Sequence, residues 1–142
     1  RTGTTLGQLI AQSTAPGTRI AVAAAGSVAY YAERPMVDLL GKSDRRIALG
    51  PVSRAPLDPE RYSPAFSTLS PGHNKWDFDY SLGVLKPDVV TYLWGDGEAR
   101  ADSLGYAPAC LGDFQVWVRR DSITVDRERF VPCAARSTRS GD

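Results

Sequence analysis

Arg19-Ile20-Ala21-Val22-Ala23-Ala24 decides the fold. After Arg19 its residues are apolar without alternation, the pattern of a strand covered on both faces, as in a parallel sheet. Gly26-Ser27 then turns the chain, and Ser27 is placed to cap a short helix over residues 28–33. Pro35 opens a second strand, Met36-Val37-Asp38-Leu39-Leu40, which Gly41 closes. Ser43-Asp44 caps a further helix through Ile47 to Leu49. Upstream, Leu6, Leu9 and Ile10 share one helical face, with Thr4 or Thr5 as cap and Pro16-Gly17 as the stop. The crossover rule sets the first strand between the second and a third.

That third strand is expected at Asp88-Val89-Val90-Thr91-Tyr92-Leu93-Trp94. Before it, residues 50–71 hold five of the ten prolines, Pro51, Pro56, Pro59, Pro64 and Pro71. A stretch that long without periodicity is a binding loop or a mobile insertion. Asn74 then reads as an N-cap paired with Asp77, and Trp76, Tyr80 and Val84 form a helical stripe that Pro87 ends. Residues 95–105 read as a Gly/Asp-rich loop. Tyr106–Leu111, Gly112-Asp113 and Phe114–Arg119 read as a hairpin. Phe114, Val116 and Val118 alternate with Gln115, Trp117 and Arg119, so one face is expected to be more exposed. Residues 134–142 read as a frayed tail. The expectation is one α/β domain over residues 1–142: a small three-layer sandwich with a mainly parallel sheet and a C-terminal antiparallel hairpin.

Composition agrees with one globular domain: 142 residues, 42% hydrophobic and 23% charged. It excludes collagen-like, coiled-coil and wholly disordered chains. The net charge of +1 argues against a nucleic-acid partner. Arginine outnumbers lysine 14 to 3, which by itself implies no ligand. No apolar run approaches the roughly 18–20 residues of a membrane helix. The chain begins at Arg1 with no signal peptide after it, which reads as a mature product or an excised fragment.

Chemistry-bearing residues are few. Cys110 and Cys133 form no CxxC pair, and zinc would have to recruit His73 and a distant carboxylate, so no metal is expected. The two cysteines are either buried thiols or a disulfide formed in an oxidising compartment. A nucleophilic triad would depend on His73, the single histidine. No GxSxG, GxxxxGK[ST] or GxGxxG is present, so no catalytic residue and no cofactor is assigned.

Asp38 and Asp44 flank Gly41-Lys42-Ser43 beyond a strand's carboxyl end, where α/β sheets gather ligands. The same residues suit a turn and a helix start, and that reading is preferred. Asp77 and Asp79, two apart on a helix, point to different sides and make no carboxylate pair. His73-Asn74-Lys75-Trp76 at a helix start offers an imidazole, an amide, an ammonium and an indole to a phosphate or sugar. The preferred alternative has His73 and Asn74 capping the loop and Trp76 in the core stripe. Trp94 and Trp117 read as core or sheet-face residues.

Three phrases together carry a resemblance. They are Ala25-Gly26-Ser27-Val28-Ala29-Tyr30-Tyr31 with Pro35-Met36-Val37-Asp38; Asp38-Leu39-Leu40-Gly41-Lys42-Ser43-Asp44 with Ile47-Ala48; and Pro71-Gly72-His73-Asn74-Lys75-Trp76-Asp77 with Tyr80 and Lys86-Pro87-Asp88. Over about residues 5–122 the chain resembles the extracytoplasmic C-terminal domain of bacterial GT-C type membrane glycosyltransferases. These enzymes use polyprenyl-phosphate sugars and include mannosyl- and arabinofuranosyltransferase-like members. The resemblance implies a soluble domain on the extracytoplasmic face of the bacterial membrane, partnered by the membrane-embedded part of its own polypeptide. It implies catalytic acids in that membrane part, and hence an accessory role here: positioning acceptor glycan or polyprenyl-phosphate-sugar donor. Such a location implies that Cys110 and Cys133 are disulfide-bonded. In an α/β sheet ligands gather beyond the carboxyl ends of the parallel strands, so if the proline-rich segment crosses that end, Ser27, Asp38, Asp44, His73 and Lys75 ring one ligand-facing surface, with Trp76 a further candidate contact. The alternatives are a free-standing extracytoplasmic glycan-binding module and a small hydrolase using His73.

Overall fold

The computed structural model describes residues 2–24, 26–53 and 75–133. The asparagine cap expected at Asn74, His73, most of the proline-rich segment and the expected tail lie outside them.

The elements are α1 (Thr2–Ser13), β1 (Ile20–Val22), α2 (Ser27–Ala32), β2 (Met36–Asp38), α3 (Arg45–Leu49), a π-helix (Asp79–Val84), β3 (Val89–Val90), α4 (Gly97–Ser103), β4 (Tyr106–Leu111) and β5 (Phe114–Arg119). The five strands form one sheet in the order β2-β1-β3-β5-β4. β1 lies between β2 and β3 and is parallel to both. The sheet is mixed, not mainly parallel: β5 is antiparallel to β3, and β4 to β5. The two-residue turn at Gly112-Asp113, with Gly112 at φ 58°, sets β5 antiparallel to β4, and β5 rather than β4 pairs with β3.

Strand alternation divides the core. Ile20 and Val22 of β1, Val89 of β3 and Val116 and Val118 of β5 pack with Leu6 and Ile10 of α1 and Ala32 of α2. Ala21, Val90 and Trp117 point the other way, toward Phe78, Leu82, Trp94 and Ala101. Both faces of β1 are therefore buried, which is why its sequence lacks alternation. The same holds at Trp117, which is buried, so the more open face expected of β5 is open only at Gln115 and partly at Arg119. α1 and α2 approach closely at Gly7, where a Cβ would lie 2.8 Å from the Val28 carbonyl oxygen.

Several local expectations are corrected. α2 is preceded by Gly26, with no side-chain cap from Ser27, and ends where Glu33 takes φ 51°. β2 stops at Asp38, whose carboxylate turns the chain. β3 is only two residues long, because Leu93 and Trp94 leave the ladder to join the core beneath the helices. α4 stands where a loop was expected; only Ala101 among its apolar side chains is buried, too little to leave a stripe. The expected 76/80/84 stripe is replaced by Phe78 and Leu82. The helix starts after Trp76 and widens into an i→i+5 turn, with the Leu85 N–H donating to the Tyr80 carbonyl at 3.0 Å. Val84 is consequently exposed.

Cys110 and Cys133 are disulfide-bonded. The bond holds residues 131–133 against the outer edge of β4, where Cys110 and Val131 exchange backbone hydrogen bonds. Together with Pro108 this blunts an otherwise open sheet edge.

Candidate functional site

Because β1, β2 and β3 are parallel, the segments that follow them all emerge at one end of the sheet. Among the described residues, two cavities open there. One, of about 360 Å³, lies against the ends of β1 and β3, lined by Leu6, Val22, Ala23, Ala24, Val28, Thr91 and Tyr92. It offers little polarity, since the Thr91 hydroxyl donates to the Ala21 carbonyl at 3.0 Å.

The other cavity, of about 280 Å³, lies on the opposite side, between α3, the segment entering the π-helix and the start of α4. Trp76, Asp77, Asp79, Asp96 and Arg100 supply its chemistry, and Ile47 and the 50–53 segment its remaining wall. Ser53 fastens that wall: its hydroxyl accepts from the Trp76 N–H at 3.0 Å and donates to the Trp76 carbonyl at 2.8 Å. Trp76 packs edge-on with Trp94, ring centroids 5.5 Å apart, and Trp94 packs on Phe78 at 4.9 Å. A half-buried indole is thus held on a rigid base.

Across the cavity, Arg100 sits between two carboxylates. Its Nη1 donates to both oxygens of Asp79 at 3.1 and 2.9 Å, and its Nε to Asp96 at 3.1 Å. These hydrogen bonds, first from Asp96 and then through the charge of Asp79, raise the guanidinium pKa above its ordinary value. Asp77 instead accepts from the Tyr80 N–H at 2.9 Å and so anchors the first turn. Asp77 and Asp79 therefore do share a cavity, but with different partners. π-helical turns recur at functional sites, and this one places Asp79.

The remaining expected site residues are distributed as follows. Asp38 is buried and accepts from the N–H of Leu40 and from both the N–H and the hydroxyl of Ser43. Asp44 caps α3 through the N–H groups of Arg46 and Ile47. Its carboxylate, after partial desolvation, also raises the pKa of Tyr80, whose ring carries the Arg46 guanidinium at 4.2 Å. Lys75 donates its Nζ to the Ala48 carbonyl at 2.7 Å. Ser27, the first residue of α2, packs against the start of α1, where a Cβ on Gly3 would lie 2.1 Å from its hydroxyl oxygen. Of the five candidates among the described residues, only Trp76 lines the polar cavity. Asp96 and Arg100 went unnoticed in the sequence because only the fold brings them to Asp79. Among the described residues, no group of three or more His, Cys, Asp or Glu side chains is arranged to hold a metal ion. Nor is any helix there long and apolar enough to cross a membrane.

Fold and site together define an α/β domain with a tryptophan-walled, acid-rich cavity beyond its parallel strands. Residues 1–127 match the family described as Domain of unknown function (DUF8728), and the chain belongs to that family. No curated protein and no solved structure matches it.

Proposed function

We propose that this chain is the extracytoplasmic accessory domain of a bacterial membrane glycosyltransferase, where it helps to hold a glycan for a membrane-embedded active site on the same polypeptide. The observation that carries the reading is the polar cavity: an indole wall facing carboxylates and a guanidinium, open to solvent. Carboxylates accept hydrogen bonds from sugar hydroxyls, and an aromatic face covers a ring's apolar side. The Cys110–Cys133 bond agrees with an oxidising location. Within the phrases that resemble GT-C enzymes, Gly26-Ser27, Leu39–Asp44 and Trp76-Asp77 stand at this end of the sheet, while Pro35-Met36 and Lys86-Pro87-Asp88 stand where β2 and β3 begin.

Catalysis is assigned to the membrane part. In this chain the Asp79 and Asp96 carboxylates both clasp Arg100. The isolated chain, incubated with polyprenyl-phosphate sugar and acceptor, is expected to form no product. Trp76→Ala in the full-length protein is expected to lower transfer. Turnover by the isolated chain would overturn the assignment. If no transferase activity accompanies the full-length protein, the cavity supports a free-standing glycan-binding module instead.

A further inference from the structure

We infer that the polar cavity takes an uncharged, hydroxyl-rich ligand and turns phosphorylated ones away, so that in the proposed enzyme it holds the acceptor glycan and not the phosphate-linked donor. The inference rests on the accessory-domain reading for its biological meaning, but its physical basis is local. Three carboxylates, Asp77, Asp79 and Asp96, line the cavity against one guanidinium, Arg100, a net charge of −2 among the described lining residues.

A phosphate needs uncompensated donors, such as a guanidinium fork or a run of backbone N–H groups. Arg100 presents its fork to Asp79 and Asp96. Two nearby cations point elsewhere: Lys75 to the Ala48 carbonyl, Arg46 over the Tyr80 ring. The first N–H groups of α3 are taken by Asp44. A neutral sugar meets no such obstacle. Its hydroxyls donate to the outer lone pairs of Asp79 and Asp96, and its ring has Trp76 to lie against. The two ion pairs also hold those carboxylates in place before a ligand arrives, which lowers the cost of ordering them.

The Asp79→Asn/Asp96→Asn double variant tests this. It keeps both side-chain shapes and a hydrogen-bonding oxygen but frees the guanidinium charge. The probe on this chain is inorganic phosphate, followed by the NMR signals of the Arg100 side chain and the Trp76 indole N–H. The wild-type signals are expected to stay still through tens of millimolar phosphate. The double variant is expected to bind at least about tenfold more tightly, an effect weakened by added salt. Equal phosphate binding by both forms overturns the inference. The single variant Asp96→Asn, which leaves Asp79 on Arg100, is expected to fall between them and serves if the double variant melts early. In the full-length enzyme, Trp76→Ala is expected to raise the KM for acceptor while leaving that for donor unchanged; a rise confined to the donor also overturns it. A full-length protein that transfers no sugar would remove the accessory-domain reading, while the phosphate comparison would still decide the charge selectivity.

Discussion

The joint at Asp88, where β3 begins, and the Arg100 cluster beyond the parallel strands use the same residue types for opposite purposes. At the amino-terminal end, charge is joined to backbone. Asp88, buried where β3 begins, accepts from the Arg19 N–H at 2.9 Å, the Ser122 hydroxyl at 2.6 Å and Arg119 at 3.2 Å. Arg34 donates to the Ala11 and Thr14 carbonyls at 2.7 and 2.9 Å, closing the end of α1, and Arg127 donates to the carbonyls of Arg119, Arg120 and Ser122. At the carboxyl end, Asp79, Asp96 and Arg100 pair with one another, about half exposed, around an open cavity. A charged group that satisfies buried backbone is a joint in the fold. A carboxylate held only by an exposed guanidinium keeps lone pairs for a ligand.

Removing a joint is expected to have the largest effect. Asp88→Ala strands the Arg19 N–H, the Ser122 hydroxyl and a partly buried guanidinium, and is expected to cost about 3 kcal/mol in urea unfolding. A loss similar to that of Asp79→Asn at the other end would erase the contrast. Next comes Arg34→Ala, which uncaps two carbonyls at the end of α1 and is expected to cost roughly 1–2 kcal/mol.

A smaller effect is expected in the pH dependence. The hydrogen bond from Arg119 holds the Asp121 carboxyl below its ordinary pKa. A carboxyl lowered in the folded state adds stability that is fully present above its unfolded pKa and is lost as pH falls through the folded one. Asp121→Asn should therefore leave stability below the folded pKa nearly unchanged and lower it slightly at neutral pH, so that thermal melts across the acid range show a shallower loss. A steeper acid loss in the variant would contradict the assignment. Asp121 is largely exposed, so screening keeps the effect slight.

The clearest parts of the sequence were those in which one physical signal dominates. The β4–β5 hairpin is legible to the residue because a Gly-Asp pair separates two runs of strand residues. β1 is legible because both its faces are buried. The antiparallel hairpin is legible, but not that β5 would join β3, because a hairpin fixes the pairing of its own strands and not which of them joins the rest. α4 was missed because it buries little, and the helix register after Trp76 because a π-turn breaks the 3.6-residue period. The cavity was half legible: Trp76 and the carboxylates near it stand together in sequence. Arg100, 21 positions from Asp79, could be placed there only by the return of the chain through β3.

The central claim, that the carboxyl-end cavity receives a neutral glycan, is met most directly by the indole N–H signals of the native chain. The titrants would be α-linked mannose and arabinofuranose oligosaccharides. Trp117, buried in the core, is the internal reference. The Trp76 signal is expected to move saturably with at least one of these series while that of Trp117 stays fixed. A Trp76 signal that stays still with both series, or that moves only together with Trp117, would contradict the claim.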